Sequence, residues 1–285
     1  MHLFDDKKIN FAHGHQKLIG LEQQEKLVNA FCEFVWSDKW SEQSKALHFM
    51  PTILLYGPPG TGKTTLLSNL ASGLETSSSK YYRESLDLLV NKDLGETSKA
   101  IKSLFDELKE QASCGKKVFL QIDDVDSLLS SRYLSNESSG VRRGVNTFLS
   151  QVDDLLLESY DFTPVIAATT NMFSHLDSAV KRRFSLKVNV NPVLNAKEVE
   201  DLISPMLAII STELTINFRE IESIVHEKML TPNDLILFMQ NVFLQNLIGI
   251  DICQKNVLEG LRNTESSSST FEQQRKSFSS LNKEA

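Results

Sequence analysis

A glycine-rich loop set between an apolar run and a helical pattern limits the folds open to this 285-residue chain. The apolar residues 53–56 lead into Gly-Pro-Pro-Gly-Thr-Gly-Lys-Thr at 57–64, which has the form G-x-x-x-x-G-K-T. Leu66, Leu67 and Leu70 then recur at helical spacing. This order predicts a strand, a loop and a helix in direct succession, which is the P-loop that binds a nucleoside triphosphate.

Each residue type in this loop serves phosphate binding. Glycines let the backbone curl so that its N–H groups point at phosphate oxygens, and the N-terminus of the next helix adds partial positive charge. Lys63 is predicted to contact the β- and γ-phosphates, and the Thr64 hydroxyl is predicted to ligate Mg²⁺. The predicted nucleotide-binding residues of the loop are Gly57, Pro58, Pro59, Gly60, Thr61, Gly62, Lys63, Thr64 and Thr65.

A second motif is an apolar run that ends in two acids. Residues 118–122 read Val-Phe-Leu-Gln-Ile and are followed by Asp123 and Asp124. An apolar strand ending in acidic residues downstream of a P-loop is the Walker B pattern. Asp123 is therefore predicted to hold Mg²⁺, directly or through water. The alternative is an acidic surface loop, which the presence of the P-loop disfavours.

Strand and helix patterns alternate through the first 190 residues. Besides the two strands already described, strands are predicted at 81–90, 165–171 and 186–190, with helical periodicity between them. This alternation predicts an α/β fold of the P-loop NTPase kind, with a five-stranded parallel sheet and helices on both faces. After Pro192 only helical patterns remain, and Thr231-Pro232 marks the start of one helix.

These patterns divide the chain into four predicted segments. They are an N-terminal segment at 1–18, a large α/β nucleotide-binding domain at 19–192, a small helical lid domain at 193–262 and a serine-rich tail at 263–285. The tail lacks periodic apolar residues and is predicted to be disordered. Because only about 50 residues precede the P-loop, we expect substrate choice to depend on the short N-terminus, the tail or a partner.

Composition narrows the classes of partner. The net charge of −7 argues against nucleic acid as a partner, although it permits a local basic channel. The three cysteines lack metal-binding spacing and are expected to be reduced thiols. No apolar run approaches the roughly 18 residues that a membrane span requires. We therefore expect a soluble, cytoplasmic protein without a membrane partner.

Taken together, these motifs resemble those of the AAA ATPases. The resemblance spans about residues 18–250 and is carried by the loop at 57–64, Asp-Asp-Val-Asp-Ser-Leu at 123–128, Ala-Thr-Thr-Asn at 168–171 and Leu-Asp-Ser-Ala-Val-Lys-Arg-Arg-Phe at 176–184. The segments at 141–153 and 176–184 are similar to the katanin, spastin and ESCRT-disassembly branch. The first of these segments is also similar to the ATPases that remodel HORMA-domain proteins.

The resemblance implies an enzyme that hydrolyses ATP with Mg²⁺ and acts as a homo-oligomeric ring, typically a hexamer. It implies that Asp124 polarises the attacking water and that Asn171 positions this water or contacts the γ-phosphate. Arg182 and Arg183 would reach the nucleotide of the neighbouring subunit. The alternative interpretation is that Arg182 and Arg183 form the solvated basic end of a helix. The adenine neighbours implied by the resemblance are Ile19 and Gly20.

Two positions depart from the family pattern. Asp124 stands where the family carries glutamate, and displacing a catalytic group by about 1 Å can slow a reaction on the order of 100-fold. We therefore predict slow or partner-stimulated hydrolysis. In the predicted pore loop Lys92, Asp93 and Leu94, the aspartate replaces an aromatic that grips polypeptide by apolar contact. The alternative for this segment is a plain surface loop.

The sequence leaves two functions open. The first is an ATPase that remodels or disassembles a partner protein of unknown identity. The second is a nucleotide-gated regulatory scaffold that assembles on ATP, controls an effector protein and hydrolyses slowly. A DNA-handling motor is a third and weaker hypothesis, which the net charge disfavours even though Arg142, Arg143 and Lys92 could line a pore.

Overall fold

The computed structural model describes residues 17–74, 78–85, 96–126, 139–210 and 216–269. At residues 139–142 the description is limited to the helical backbone. The predicted pore-loop residues Lys92, Asp93 and Leu94 lie outside these ranges, as do residues 1–16 of the predicted N-terminal segment and residues 270–285 of the predicted tail.

The described strands are β1 (Thr52–Tyr56), β2 (Ser79–Ser85), β3 (Lys117–Asp123), β4 (Val165–Thr170) and β5 (Leu186–Asn189). Six helices surround these strands in the described chain: α1 (Glu22–Val35), α2 (Trp40–Leu47), α3 (Lys63–Ser72), α4 (Glu96–Ser113), α5 (Ser139–Asp154) and α6 (Ser178–Arg183). The remaining described helices are α7 (Ala196–Ile210), α8 (Phe218–Lys228), α9 (Pro232–Leu247) and α10 (Gln254–Asn263).

The five strands form one sheet in the order β2-β3-β4-β1-β5, and all pairs are parallel. This confirms the predicted five-stranded parallel sheet. The strand β4 lies between β1 and β3, with Ala168 paired to Leu54 on one side and to Ile122 on the other. The carboxyl ends of β1, β3 and β4 therefore meet at one edge of the sheet, which is where open α/β sheets bind ligands.

Both faces of the sheet are buried under helices, which explains the unbroken apolar runs in the sequence. Side chains alternate between the faces along a strand. Ile53 and Phe119 pack on the side of α1 and α3, whereas Leu54 and Leu120 pack on the side of α4 and α5. A strand covered on both faces is apolar at most positions, so β1 and β3 show no regular polar alternation.

The helices after Pro192 have a core of their own, as the predicted lid domain requires. The buried side chains include Val199 and Ile203 of α7, Ile221 of α8, Leu235 and Met239 of α9, and Val257 and Leu261 of α10. The sequence patterns had not identified α10 as a separate helix. Its apolar residues are few, and a serine-rich polar segment follows it.

The packed part of the lid extends beyond the boundary predicted at residue 262. Ser266 and Ser268 are buried. The Ser266 hydroxyl donates to the Met229 carbonyl at 2.6 Å, and the Ser267 hydroxyl donates to the Asp234 carboxylate. These serines are bound by polar contacts rather than by apolar packing, so hydrophobic periodicity did not reveal them. Residues 264–268 therefore belong to the lid rather than to the tail.

Candidate functional site

The P-loop lies at the carboxyl edge of the sheet, between the end of β1 at Tyr56 and the start of α3 at Lys63. Gly57 approaches the end of β5 so closely that a Cβ there would lie 2.2 Å from the Val190 carbonyl oxygen. Only glycine fits this position, because real Cβ contacts to backbone oxygen are much longer. The loop is thus tied to the sheet at its first residue.

Lys63 lies inside the loop and carries a buried charge. Its side chain is 6% exposed, and its ammonium donates to the carbonyls of Gly57 at 2.9 Å and Pro58 at 2.7 Å. Burial lowers the pKa of Lys63 to about 8, and the nearby carboxylates of Asp124 and Asp126 offset part of this effect. A desolvated cation at a helix N-terminus favours an anion beside it.

Asp123, the last residue of β3, is the centre of a hydrogen-bond cluster. Its Oδ1 accepts from the Thr64 hydroxyl at 3.1 Å and from the Thr169 hydroxyl at 3.2 Å. Its Oδ2 accepts from Arg83 Nε at 2.8 Å. The Gln121 amide donates to both oxygens, at 3.1 and 3.0 Å. The structure therefore brings together Thr64 and Asp123, the two predicted metal ligands.

Thr64 and Asp123 fit a magnesium ion that nucleotide phosphates help to bind. Mg²⁺ in nucleotide sites uses one or two protein oxygens, substrate phosphates and several waters. A hydroxyl and a carboxylate 3.1 Å apart supply such oxygens. Within the described residues there is no group of three or more His, Cys, Asp or Glu side chains that could hold a metal by themselves.

Asp124 and Asn171, both predicted to act on the attacking water, lie side by side. The Asn171 amide donates to Asp124 Oδ1 at 3.3 Å. Asp124 has a φ of 49°, in the left-handed region that aspartate tolerates better than most residues. Its N–H donates to the Thr169 hydroxyl at 3.1 Å. This turn directs the Asp124 carboxylate toward the end of β4.

Asp126 ties the ends of β3 and β4 together one turn further along the chain. Its Oδ1 accepts from the Thr170 hydroxyl at 2.7 Å and from the Asn171 backbone N–H at 3.3 Å. Asn171 is thus held through its backbone by Asp126 and contacts Asp124 through its side chain. Two carboxylates of the Walker B segment therefore fix the position of one amide.

The two arginines predicted to reach a neighbouring subunit differ in their surroundings. Arg183 forms a bidentate pair with Asp153 of α5, at 2.8 and 2.7 Å, and also donates to the Ala179 carbonyl. The pair with Asp153 raises the pKa of Arg183. Arg182 is exposed and makes no hydrogen bond or ion pair to any residue that the structure describes. Arg183 is therefore engaged within its own chain, and its predicted contact with a neighbouring subunit stays a prediction.

The predicted adenine neighbours lie between the P-loop and the lid. Ile19 is buried and belongs to the lid core. A Cβ on Gly20 would lie 3.1 Å from the Leu194 side chain and 3.2 Å from Pro192. The next residue, Leu21, contacts the position of Gly62. This segment therefore bridges the phosphate loop and the start of the lid, and its contact with adenine stays a prediction.

The lid also contacts the P-loop directly, through the N-terminus of α9. The Asn233 N–H donates to the Gly60 carbonyl at 3.3 Å. A Cβ on Gly60 would lie 2.9 Å from both Asn233 Cβ and Thr231 Oγ1. Thr231 and Asp234 cap this helix reciprocally in a capping box. The sequence indicated the helix start, but no local pattern indicates that it packs on the phosphate loop.

Sequence reasoning missed three polar residues behind Asp123. They are Tyr81 and Arg83 on β2 and Gln121 on β3, and they line one face of the sheet because β2 and β3 pair in register. The available signal was Gln121, a polar residue in an otherwise apolar run that is completely buried. A buried amide needs hydrogen-bond partners, so a glutamine within this run was a signal of a polar network close to the Walker B acids, which the sequence analysis did not use.

None of the helices in the described part of the chain is both long enough and apolar enough to span a membrane.

Comparison with known proteins gives a consistent result. The AAA family, described as the ATPase family associated with various cellular activities, matches residues 53–192. Vacuolar protein sorting-associated protein 4B of Mus musculus is 37% identical over 138 residues, which cover 48% of this chain and 29% of that protein. An "AAA ATPase forming ring-shaped complexes" of Bifidobacterium dentium is 36% identical over 162 residues, covering 53% of this chain and 29% of that protein. The chain thus spans less than a third of the length of these curated relatives.

A solved structure extends the similarity of the fold into the lid. A chain from the complex titled "Structure of E. coli MS115-1 HORMA:CdnC:Trip13 complex" superposes with a TM-score of 0.71 at 20% identity. The superposition covers 87% of this chain and 90% of that one. The large domain and the helical lid therefore have the same fold as the corresponding parts of that chain.

Proposed function

Because residues 53–192 form an AAA ATPase domain, we propose that this protein binds Mg²⁺ and ATP, hydrolyses ATP and uses the reaction to remodel a partner protein. The observation that carries the proposal is the meeting of one buried lysine and two polar pairs at one sheet edge. Lys63 lies inside the P-loop, Thr64 contacts Asp123, and Asn171 contacts Asp124. A phosphate chain, a divalent cation and a nucleophilic water each have a partner there.

The residues divide the work of hydrolysis between them. The loop N–H groups and Lys63 bind the phosphates, and Thr64 and Asp123 would hold the cation. Asp124 accepts the proton of the attacking water, and Asn171 orients that water. When bound, Mg²⁺ neutralises charge on the β- and γ-phosphates. Arg182 stabilises the transition state in the neighbouring subunit.

The assembly proposed for this chain is a homo-oligomeric ring, with a hexamer as the expected form. Two observations support it. Arg182 is exposed and has no partner among the described residues, and the chain is similar to the Bifidobacterium dentium AAA ATPase that forms ring-shaped complexes. The E. coli assembly contains a HORMA protein, so a HORMA-domain protein is the first partner class to test.

The compartment we propose is the cytoplasm. Contact of Lys92, Asp93 and Leu94 with the partner remains a prediction.

The second candidate function, a slowly hydrolysing regulatory scaffold, is favoured by one observation. Asp124 is one methylene shorter than glutamate and is held by Asn171 in a left-handed turn. A short carboxylate that cannot approach the water closely would leave ATP binding intact and slow its hydrolysis. In that case the ATP-bound ring itself would control the effector.

The two functions can be separated with one partner and three forms of the protein. The wild type, Asp124→Asn and the matched binding-deficient Lys63→Ala are each incubated with a purified HORMA-domain protein and ATP. Remodelling predicts that the wild type changes the partner's protease-cleavage pattern and releases it, that Asp124→Asn retains it, and that Lys63→Ala does neither.

The scaffold predicts a different outcome in the same assay. The wild type and Asp124→Asn would then hold the partner equally well without changing its cleavage pattern. Absence of ATP binding by the wild type, measured with a fluorescent ATP analogue, would contradict both functions.

A further inference from the structure

The carboxylate of Asp123 already has a cation beside it. Arg83 Nε lies 2.8 Å from Asp123 Oδ2, and the Arg83 side chain is 42% exposed whereas that of Asp123 is 15% exposed. Thr64, the other predicted metal ligand, contacts the opposite oxygen, Oδ1. Arg83 therefore lies beside Oδ2 of Asp123, and the expected Mg²⁺ position lies beside Oδ1 of the same carboxylate.

The placement of Arg83 follows from the sheet register. Arg83 pairs with Gln121, and Ser85 pairs with Asp123. Paired residues of parallel strands point to the same face, so the side chains of Arg83, Gln121 and Asp123 line the face that also carries α3. Because β2 is the edge strand, the arginine reaches the site from its open side.

A buried amide fixes the carboxylate in place for this arrangement. Gln121 is completely buried and donates to both oxygens of Asp123. The Tyr81 hydroxyl donates to Gln121 Oε1 at 2.7 Å, which sets the orientation of the amide. Burial raises the pKa of Tyr81 to about 12, so this hydroxyl keeps its proton at every physiological pH. Asp123 is thereby prevented from rotating away from either cation position.

We propose that Arg83 is a built-in counter-cation of Asp123 that weakens Mg²⁺ binding at the nucleotide site, and that it acts as a positioning residue rather than a catalytic one. A divalent ion on the Oδ1 side would approach a carboxylate whose charge is already partly neutralised. At a separation of about 6 Å and a water-like dielectric constant, repulsion between one positive charge and a dication lowers affinity about tenfold. The inference rests on the proposed function, because it presupposes Mg²⁺-dependent nucleotide binding.

A matched set of variants tests the inference by equilibrium binding, with no need for turnover. Arg83→Gln removes the charge but keeps an N–H donor at the chain position of Nε, the atom that contacts Asp123, and Arg83→Lys keeps the charge. Lys80→Gln removes one charge from the same strand at an exposed position away from Asp123. Binding of a fluorescent ATP analogue is measured in EDTA and then over a titration with Mg²⁺, and thermal unfolding is recorded for each variant.

The expected result is a shift in the Mg²⁺ dependence alone. The Mg²⁺ concentration at half-saturation should fall about tenfold in Arg83→Gln, and it should stay near the wild-type value in Arg83→Lys and Lys80→Gln. Binding in EDTA should be the same in all four proteins.

Three results would overturn the inference. If the Mg²⁺ midpoint is unchanged in Arg83→Gln, with or without a lower melting temperature, then Arg83 only holds the edge strand in place. Weaker binding of Arg83→Gln in EDTA would mean that Arg83 contacts the phosphates instead. Failure of the wild type to bind the analogue at any Mg²⁺ concentration would contradict the proposed function itself, and this inference with it.

Discussion

The carboxyl edge of the sheet and the end of α6 are built in opposite ways. At the sheet edge, Asp123 accepts hydrogen bonds from side chains of β2, β3, β4 and α3, and Lys63 is buried inside its own loop. At the end of α6, Arg183 is anchored to Asp153, whereas Arg182 is exposed. One region is completed within the chain, and the other presents a charge to its surroundings.

This contrast indicates which steps of ATP binding and hydrolysis a single subunit can perform alone. Binding of phosphate and metal needs groups that a single chain already holds close together. Stabilisation of the transition state needs one more positive charge, and the cation available for it projects away from its own P-loop domain core. We therefore expect nucleotide binding by isolated subunits and efficient hydrolysis only in the assembly.

The largest expected effect comes from removing the exposed arginine. Arg182→Ala should lower the turnover number by about 10³–10⁵, because an arginine supplied in trans contributes this much to phosphoryl transfer. Affinity for the nucleotide should not change. Lys187→Ala, which removes an exposed positive charge from β5, is the matched control and should retain activity.

Mixing experiments sharpen this prediction. Arg182→Ala subunits bind nucleotide, and Lys63→Ala subunits supply Arg182, so a mixture of the two inactive proteins should recover part of the turnover. If the mixture stays inactive although mixed assemblies form, Arg182 does not act across subunits and the contrast between the two regions fails.

The next effect concerns the length of the carboxylate that faces the water. Asp124→Glu should raise turnover, by up to about 100-fold, because it moves the carboxylate by roughly 1 Å toward its usual position. Steady-state phosphate release with saturating ATP measures this effect. A slower Asp124→Glu enzyme would show that the left-handed turn at residue 124 requires aspartate and that the site is adapted to it.

The buried charge of Lys63 predicts a pH dependence of nucleotide affinity. Its pKa is about 8 without nucleotide, and a bound phosphate favours the charged form and so raises it. Affinity should therefore be constant well below pH 8 and fall above it, by up to about tenfold per pH unit, with proton uptake on binding. Equilibrium titrations from pH 6.5 to 9.5 measure the slope. Lys63→Arg, which stays charged, is the control, and a flat wild-type profile would contradict the prediction.

The smallest effect concerns the anchored arginine. Asp153→Ala and Arg183→Ala should each lower the free energy of unfolding by about 1 kcal/mol, since the pair is only partly buried. A double-mutant cycle from denaturant unfolding should give a coupling of similar size. A turnover loss in Arg183→Ala as large as that of Arg182→Ala, at unchanged stability, would remove the distinction between the two arginines.

The sequence was sufficient for those features that local patterns encode. The P-loop, the five strands and the acids at the end of β3 each follow from a run of consecutive residues or from a fixed spacing. The structure confirms the sheet. It also places Thr64 beside Asp123, and their role as metal ligands stays a prediction. The resemblance to the AAA ATPases supplied the expected roles of Asp124 and Asn171 at the attacking water, which spacing alone does not give.

The remaining features depend on contacts between distant parts of the chain. Arg83 meets Asp123 from a strand 40 positions away, and Arg183 meets Asp153 from another helix. Single residues of this kind carry no periodic signal, since any exposed arginine looks the same in a sequence. The engagement of Arg183 could not be predicted for that reason, and neither could the packing of Ser266 against the lid.

The contact between Gly60 and Asn233 makes α9 a lever with its pivot on the phosphate loop. With 16 residues, this helix is about 24 Å long, so a tilt of about 5° at the pivot would displace its far end by about 2 Å. That end carries the exposed side chains of Leu244, Leu247 and Ile248. A sub-ångström movement of the phosphate loop would thus produce a displacement of about 2 Å at the apolar end of α9, where a neighbouring molecule in contact with that end would be displaced as well.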